Sequence, residues 1–165
     1  MTRASIAIVF CLLTLNLLAP ALAGALEDAA NQGDVAAQLK LGAMYSDQSK
    51  NYPEAVKWLR KAADQGNATA QGLLGGMYAL GRGVAKSDVE AAKWIRKAAD
   101  QGDAASQDIL ANMYVQGRGV PQDYVEAAKL GRQAAEQGHA TSRMRVLLLS
   151  PFGEGLQMLY PSRVL

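Results

Sequence analysis

The fold of this chain is decided by two adjacent stretches, NATAQGLLGGMYALGRGVAKSDVEAAKWIRKAADQG at residues 67–102 and DAASQDILANMYVQGRGVPQDYVEAAKLGRQAAEQG at residues 103–138. They match position by position at a spacing of 36 residues, as Gln71 and Gln107 illustrate. Residues 34–66 repeat the same pattern with a shorter middle section. Self-similarity at a fixed period of this size indicates a repeat architecture, in which each unit is one small helical or stranded motif.

Partial units flank the three complete ones. Residues 25–33 look like the second half of a unit, and residues 139–150 look like the first half of another. We therefore assign residues 24–149 to one repeat domain. Residues 150–165 depart from the repeat and form a C-terminal tail in this interpretation, and the neighbouring apolar residues favour packing of the tail over exposure to water.

Each unit is predicted to contain two helices. In the first, Ala70, Leu74, Met77 and Tyr78 recur at the i, i+4, i+7 and i+8 positions of one helical face. The second helix also has a single apolar face. Its members are Ala91, Trp94, Ile95, Ala98 and Ala99. Thirty alanines against two Phe and two Trp also favour close-packed helices, so the fold class is all-α.

The helix ends carry their own signals. Each second helix is preceded by a capping-box pattern, in which a polar residue stands three positions before a glutamate. The polar residues are Asn51, Ser87 and Asp123. A glycine is expected in the left-handed conformation where each second helix closes. These are Gly33, Gly66, Gly102 and Gly138. The residue that follows is expected to cap the next helix. It is Asp34, Asn67 or Asp103.

The first 23 residues predict export. Arg3 precedes an apolar run, Pro20 ends it, and Ala21-Leu22-Ala23 provides small residues where a signal peptidase cleaves. An uncleaved membrane anchor is the alternative, but the run is at the short limit for a membrane span. We expect cleavage near Ala23, a periplasmic or secreted mature chain, and no stable membrane span after cleavage.

Composition excludes several classes of function. The 165 residues include one cysteine and one histidine, and the formal net charge is only +2. The cysteine, Cys11, lies in the predicted signal peptide, so no disulfide framework or multi-thiolate zinc site is expected. His139 occupies a unit junction, where a capping or surface role is expected and not a catalytic one. Near-neutral charge argues against nucleic acid as a partner. We expect no catalytic residues, no metal and no cofactor.

The recurring positions of the units form a known signature. The pattern A-x-x-Q-x-x-L-G-x-M-Y, followed by G-R-G-V and then by E-A-A-K-W-x-x-K-A-A-D-Q-G, resembles the Sel-one-like repeat (SLR) family. This family is related to the tetratricopeptide repeat. The resemblance implies a right-handed α-solenoid that serves as an adaptor in protein complexes, in an exported bacterial-type member. Some secreted relatives with a disulfide in each repeat are described as acting on cell-wall or β-lactam substrates, which is the alternative function.

We expect a protein or peptide partner to bind the first helices, which line the inner surface of such solenoids. Positions that differ between units are candidates for specific contact. For the recurring glutamines, partner contact and a hydrogen-bonded tie between adjacent helices are both open interpretations. Self-association through residues 150–165 is a further possibility. The candidate partner-binding residues are Gln38, Lys40, Gln71, Leu73, Gly76, Gln107, Ile109 and Asn112.

Overall fold

The computed structural model describes residues 24–138, which form seven α-helices and no strand. The first helix, α1, covers residues 24–31. The six that follow are α2 (Val35–Asp47), α3 (Tyr52–Asp64), α4 (Ala68–Leu80), α5 (Asp88–Asp100), α6 (Ala104–Gln116) and α7 (Tyr124–Glu136). Consecutive helices from α2 to α7 pack against each other. The structure is therefore an all-α repeat solenoid, as the 36-residue period predicts.

The core is a continuous series of small apolar clusters between neighbouring helices. Leu59, Leu74, Ile95 and Leu110 are completely or almost completely buried, one from each of the four central helices. The predicted apolar faces are confirmed, because every member is buried except Tyr78, which is half-buried beside the core. Each unit thus buries apolar surface both between its own two helices and against the neighbouring units.

The predicted helix caps are confirmed. The side chains of Asp34, Asn67 and Asp103 accept backbone N–H bonds at 2.7–2.8 Å at the starts of α2, α4 and α6. Asn51, Ser87 and Asp123 do the same for α3, α5 and α7. The glycines that close α1, α3, α5 and α7 have φ between 88° and 100°. In αL geometry of this kind a side chain would be strained.

One half of the predicted capping box is wrong. The pattern predicts that each glutamate reaches back to the backbone of the cap residue. Instead it contacts a lysine three positions later on the exposed face of the same helix, at 3.0 Å for Glu54 with Lys57 and 2.6 Å for Glu90 with Lys93. Such exposed i,i+3 pairs contribute only about a few tenths of a kcal/mol. The helix starts are therefore held by the single side-chain cap.

Glycines let the two helices of one unit approach closely. A Cβ atom at Gly42 would lie 2.6 Å from Leu59 Cγ, and one at Gly75 would lie 2.5 Å from Ile95 Cγ1. Neither space can hold a side chain without movement of the neighbouring core residue. The glycines at these two positions are therefore required by the short distance between the two helices of a unit.

Each Gly-Arg-Gly turn connects the two helices of one unit and also contacts the preceding unit. In the third unit, Gly117 and Gly119 both have positive φ, 64° and 69°. The turn lies against the start of α5 in the preceding unit, so that a Cβ at Gly119 would lie 2.0 Å from the carbonyl oxygen of Asp88. Arg118 donates to the Asp88 carboxylate at 2.7 Å. Its guanidinium lowers the pKa of Asp88, and the carboxylate raises the pKa of Arg118.

The second unit repeats this contact with different side chains. A Cβ at Gly83 would lie 2.4 Å from the backbone of Tyr52 at the start of α3. The guanidinium of Arg82 lies 5.3 Å from the centre of the Tyr52 ring, within range of a cation–π contact. The close backbone approach is thus common to both turns, whereas the arginine finds either an acidic or an aromatic partner.

Several predictions concern residues outside the described range. The signal peptide at residues 1–23, the capping role of His139, the last half unit at residues 139–149 and the tail at residues 150–165 all lie there. Self-association through the tail belongs to the same group. These interpretations stay predictions.

Candidate functional site

A shallow depression lies on the surface formed by the first helices of the three units. It encloses about 400 Å³ and runs from the end of α2 across α4 to α6. Its centre is apolar, since Leu73 and Ile109 are 41% and 45% exposed and Leu80 also faces solvent. The other residues that line it are Ser46, Asp47, Thr69, Gly72, Gly76, Met77, Arg82, Asp103, Ala105 and Ser106.

Glycine forms part of the floor of the depression. A Cβ at Gly76 would have no atom within 4 Å, so the space above this residue is open. Gly72 differs, because a Cβ there would lie 2.8 Å from Ser106 Oγ on α6. Gly72 therefore allows α4 and α6 to approach, whereas Gly76 leaves room on the surface. Asp47, Asp103 and Arg82 also line the depression and supply charges of both signs.

The depression contains three of the predicted partner-binding residues, Leu73, Gly76 and Ile109. Lys40 is exposed on α2 but is not among the residues that line it. Asn112 is half-buried on α6, also outside the lining, and its side-chain oxygen accepts a bond of 3.2 Å from Gln116. The structure therefore gathers the apolar candidates at one place and leaves the two polar ones apart.

The structure corrects the placement of the three recurring glutamines. Gln38, Gln71 and Gln107 are all buried, so their side chains are not part of the surface that a partner would contact. Each donates from Nε2 to a backbone carbonyl at the end of the preceding helix. The acceptors are Ala30 at 2.9 Å, Ala63 at 3.1 Å and Ala99 at 3.2 Å. Of the two open interpretations, the tie between adjacent helices is the one that this geometry supports.

A second glutamine completes each tie. Gln101, the C-cap residue of α5, donates from Nε2 to Gln71 Oε1 at 2.7 Å. Gln65 and Gln137 make the same bond to Gln38 and Gln107. The buried amide thus has partners for its N–H and its oxygen, which removes most of the cost of burying it. These second glutamines were not singled out from the sequence, although the D-Q-G and E-Q-G ends of the units contain them.

Two arginines of the second helices contact tyrosines of the next unit. Arg60 hydrogen-bonds the hydroxyl of Tyr78 in the next unit, and its guanidinium lies 5.7 Å from the centre of that ring. Arg96 makes an equivalent contact of 5.3 Å with Tyr114. Both arginines are half-buried between units, so they contribute to packing and are not part of a purely solvated face. A period-36 pairing of Arg with Tyr was the signal available for finding them.

The described helices define the class of this protein. It is a helical-repeat solenoid whose buried positions recur and whose surface positions vary, and such folds generally serve as binding scaffolds. Among residues 24–138 no group of His, Cys, Asp and Glu side chains is arranged to hold a metal ion. None of the helices in this range is long and apolar enough to cross a membrane.

The chain belongs to the Sel1 repeat family. The family model matches residues 35–67, 68–103 and 104–139, three consecutive repeats that fill most of the described structure. Sel1 repeat proteins are generally protein-interaction modules and typically act as non-enzymatic scaffolds. The predicted family membership is thereby confirmed. No curated protein sequence matches this chain.

Solved structures of other repeat proteins have the same fold. A Sel1 repeat protein from Oxalobacter formigenes is 39% identical over 73% of this chain and 93% of its own, with a TM-score of 0.68. The antigen c5321 of uropathogenic Escherichia coli, which displays an SLR fold, is 31% identical with a TM-score of 0.66 and covers 87% of this chain but 36% of its own. Cysteine rich protein B of Helicobacter pylori is 25% identical over 73% of this chain and 93% of its own, with a TM-score of 0.59.

Proposed function

We propose that this protein is an exported adaptor that binds a protein segment in the depression between α2, α4 and α6. The partner segment inserts an apolar side chain above Gly76, between Leu73 and Ile109. The exposed apolar centre of this depression is the observation that carries the proposal. Clustered apolar residues on an otherwise polar surface are characteristic of interaction sites.

The composition of the depression fits a peptide better than a small polar ligand. Its lining offers aliphatic side chains and a bare helix backbone, together with the charged groups of Asp47, Arg82 and Asp103. An apolar anchor with a polar rim is the usual arrangement of protein interfaces. The site is also open and shallow, and a peptide gains affinity there mainly through one or two well-packed anchor residues.

The first helices of a solenoid line its inner surface, which is the expected concave side. Variation at the surface positions of these helices supports this side as the source of specificity. Position 73 is leucine in the second unit, isoleucine in the third as Ile109, and lysine in the first as Lys40. The apolar part of the site therefore belongs to the second and third units.

Export rests on the predicted signal peptide at residues 1–23. The partner would then be a protein or peptide of the periplasm or of the extracellular space.

The binding proposal is tested by filling the depression. Peptides are first selected from a displayed random library against the immobilised wild-type protein, and their affinity is then measured for variants. Gly76→Trp adds a large side chain at a position where a Cβ atom would have no neighbour within 4 Å, and we expect this variant to keep the fold. We expect it to weaken binding by about tenfold or more, and Leu73→Asp to have a similar effect, as loss of one anchor typically costs at least about 1.4 kcal/mol.

The matched control is Val89→Asp, which adds the same charge at an exposed apolar residue outside the depression. This variant is expected to bind the selected peptides with unchanged affinity. Selected peptides that bind Gly76→Trp as tightly as the wild type would place the binding surface elsewhere. Helix content and the melting temperature of each variant show that any loss of binding is not due to unfolding.

A further inference from the structure

In the first two complete units, the start of the second helix is covered by a turn from the next unit. The turn at residues 81–84 lies on the start of α3, and the turn at residues 117–120 lies on the start of α5. Both contacts bring a glycine against helix backbone and an arginine against the first residue of the helix. A third contact of this kind is therefore expected at the start of α7.

The start of α7 is more open than the equivalent start of α5. Val125 is 81% exposed, whereas Val89 at the equivalent position of α5 is 53% exposed. Ala128 is half-buried, whereas the equivalent Ala92 is buried. A depression of about 390 Å³ runs along this side of α7, from Tyr124 to Glu136. Among the described residues, these positions of α7 are thus more exposed than the equivalent positions of α5, a helix that packs against the third unit.

The sequence beyond residue 138 supplies a segment that matches this face. Gly153-Glu154-Gly155-Leu156 stands 36 residues after Gly117-Arg118-Gly119-Val120. The register also holds in the helix before it. Ser106, Leu110 and Met113 are buried in α6. Their equivalents at the 36-residue spacing are Ser142, Val146 and Leu149.

We propose that residues 139–156 are the first helix and the turn of a fourth unit, and that this segment is the occupant of the open face of α7. The family match ends at residue 139, whereas the sequence pattern assigns the repeat domain up to residue 149. Gly153 and Gly155, which stand 36 residues after Gly117 and Gly119, extend the repeat to include the turn that follows its first helix. Pro151 is expected to end the helix earlier than in the other units, since proline disrupts the helical hydrogen bonds before it.

The side chains at the expected contact are compatible. In the known contacts the pairs are Arg82 with the Tyr52 ring and Arg118 with Asp88. In the fourth unit the 36-residue spacing pairs Glu154 with Tyr124. A tyrosine hydroxyl donates readily to a carboxylate, and the bond of 3.3 Å from Tyr45 to Glu27 in this protein is an example.

A crosslinking experiment tests the proposal in the full-length chain with Cys11→Ser as background. Tyr124→Cys is combined with Glu154→Cys, and a short bis-maleimide bridges the two thiols if they are adjacent. Asp88→Cys with Arg118→Cys is the positive control, since the structure places those side chains in contact. Mass spectrometry of the intact chain measures the fraction that is bridged within one molecule.

The matched comparison is Tyr124→Cys with Ser162→Cys. An unattached segment would bring positions 154 and 162 to the thiol at position 124 at similar effective concentrations, so the two pairs would bridge equally. A docked segment should favour position 154 by about tenfold or more. Equal bridging of the two pairs, or failure of the 124/154 pair when the 88/118 pair bridges, would overturn the proposal. Bridging between two molecules would instead identify a second copy as the occupant and would overturn it as well.

Discussion

Replacing Trp94 with alanine should lower the free energy of unfolding by about 3–5 kcal/mol, the usual cost of truncating a buried aromatic residue. The side chain is 8% exposed and belongs to the same core cluster as Leu59 and Leu74. The ammonium group of Lys97 lies 4.0 Å from the centre of its ring and is left without this contact. Because Leu59 comes from the first unit and Leu74 from the second, the deletion weakens two units at once.

Thermal unfolding followed by circular dichroism measures this effect. For a chain of this size a loss of about 3–5 kcal/mol corresponds to a decrease of roughly 10 °C or more in the melting temperature. Val89→Ala, at an exposed position near the start of the same helix, should change the stability by no more than about 0.5 kcal/mol. An unchanged melting curve for Trp94→Ala would contradict the packing of α5 against the rest of the second unit.

The second large effect is expected for Gly119→Ala. This substitution adds a Cβ that would lie 2.0 Å from the Asp88 carbonyl oxygen, in a backbone with φ of 69°. The αL conformation costs about 1–2 kcal/mol for a residue with a side chain. Removal of the overlap requires the turn to move away from α5, which adds about 1–3 kcal/mol in the manner of an overpacked core.

Gly117→Ala separates the two contributions. Its φ of 64° is almost the same, but its nearest neighbour would be Gln122 Cβ at an ordinary 3.5 Å. Denaturant unfolding of both variants should therefore show a loss for Gly117→Ala and a clearly larger loss for Gly119→Ala. Equal losses would mean that the turn does not touch the preceding unit in solution.

The architecture could be predicted because its determinants are local and repeated. Each cap is a short polar residue within three positions of the N–H that it binds, and each second helix ends at a glycine that the αL conformation requires. A pattern that occurs once in a sequence is ambiguous, but the same pattern at Asp34, Asn67 and Asp103 is not. The period itself then determined which elements follow one another.

The glutamines show where sequence reasoning ends. A polar residue such as Gln71 on a helix that lines a binding surface is compatible with exposure and with burial. The difference depends on whether an acceptor and a donor lie within reach, and those are the carbonyl of Ala63 and the side chain of Gln101. Gln101 is 30 residues away, and its distance from Gln71 is set by helix packing rather than by local sequence.

Only part of the candidate site could be predicted, namely the positions that vary between units. Variation between units correctly selected Leu73 and Ile109 as exposed positions, because a solenoid repeats its core and varies its surface. Asp47, Leu80 and Gln116 occupy one equivalent position in the three units, and this position also varies. The same rule would therefore have added Leu80 to the candidate residues. Arg82 and Asp103 could not be found in this way, because they reach the depression from a turn and from a helix cap.

The paired glutamines also have a consequence for how such a chain changes in length during evolution. Gln71 binds a carbonyl of the unit before it and a side chain at the end of its own unit, and Gln107 does the same one unit later. A duplicated stretch of 36 residues would bring with it one complete set of these donors and acceptors. Insertion or deletion of a whole unit leaves every one of these buried amides satisfied, whereas a partial one strands a polar group in the core. Genetic changes that add or remove entire units are therefore the ones this fold tolerates.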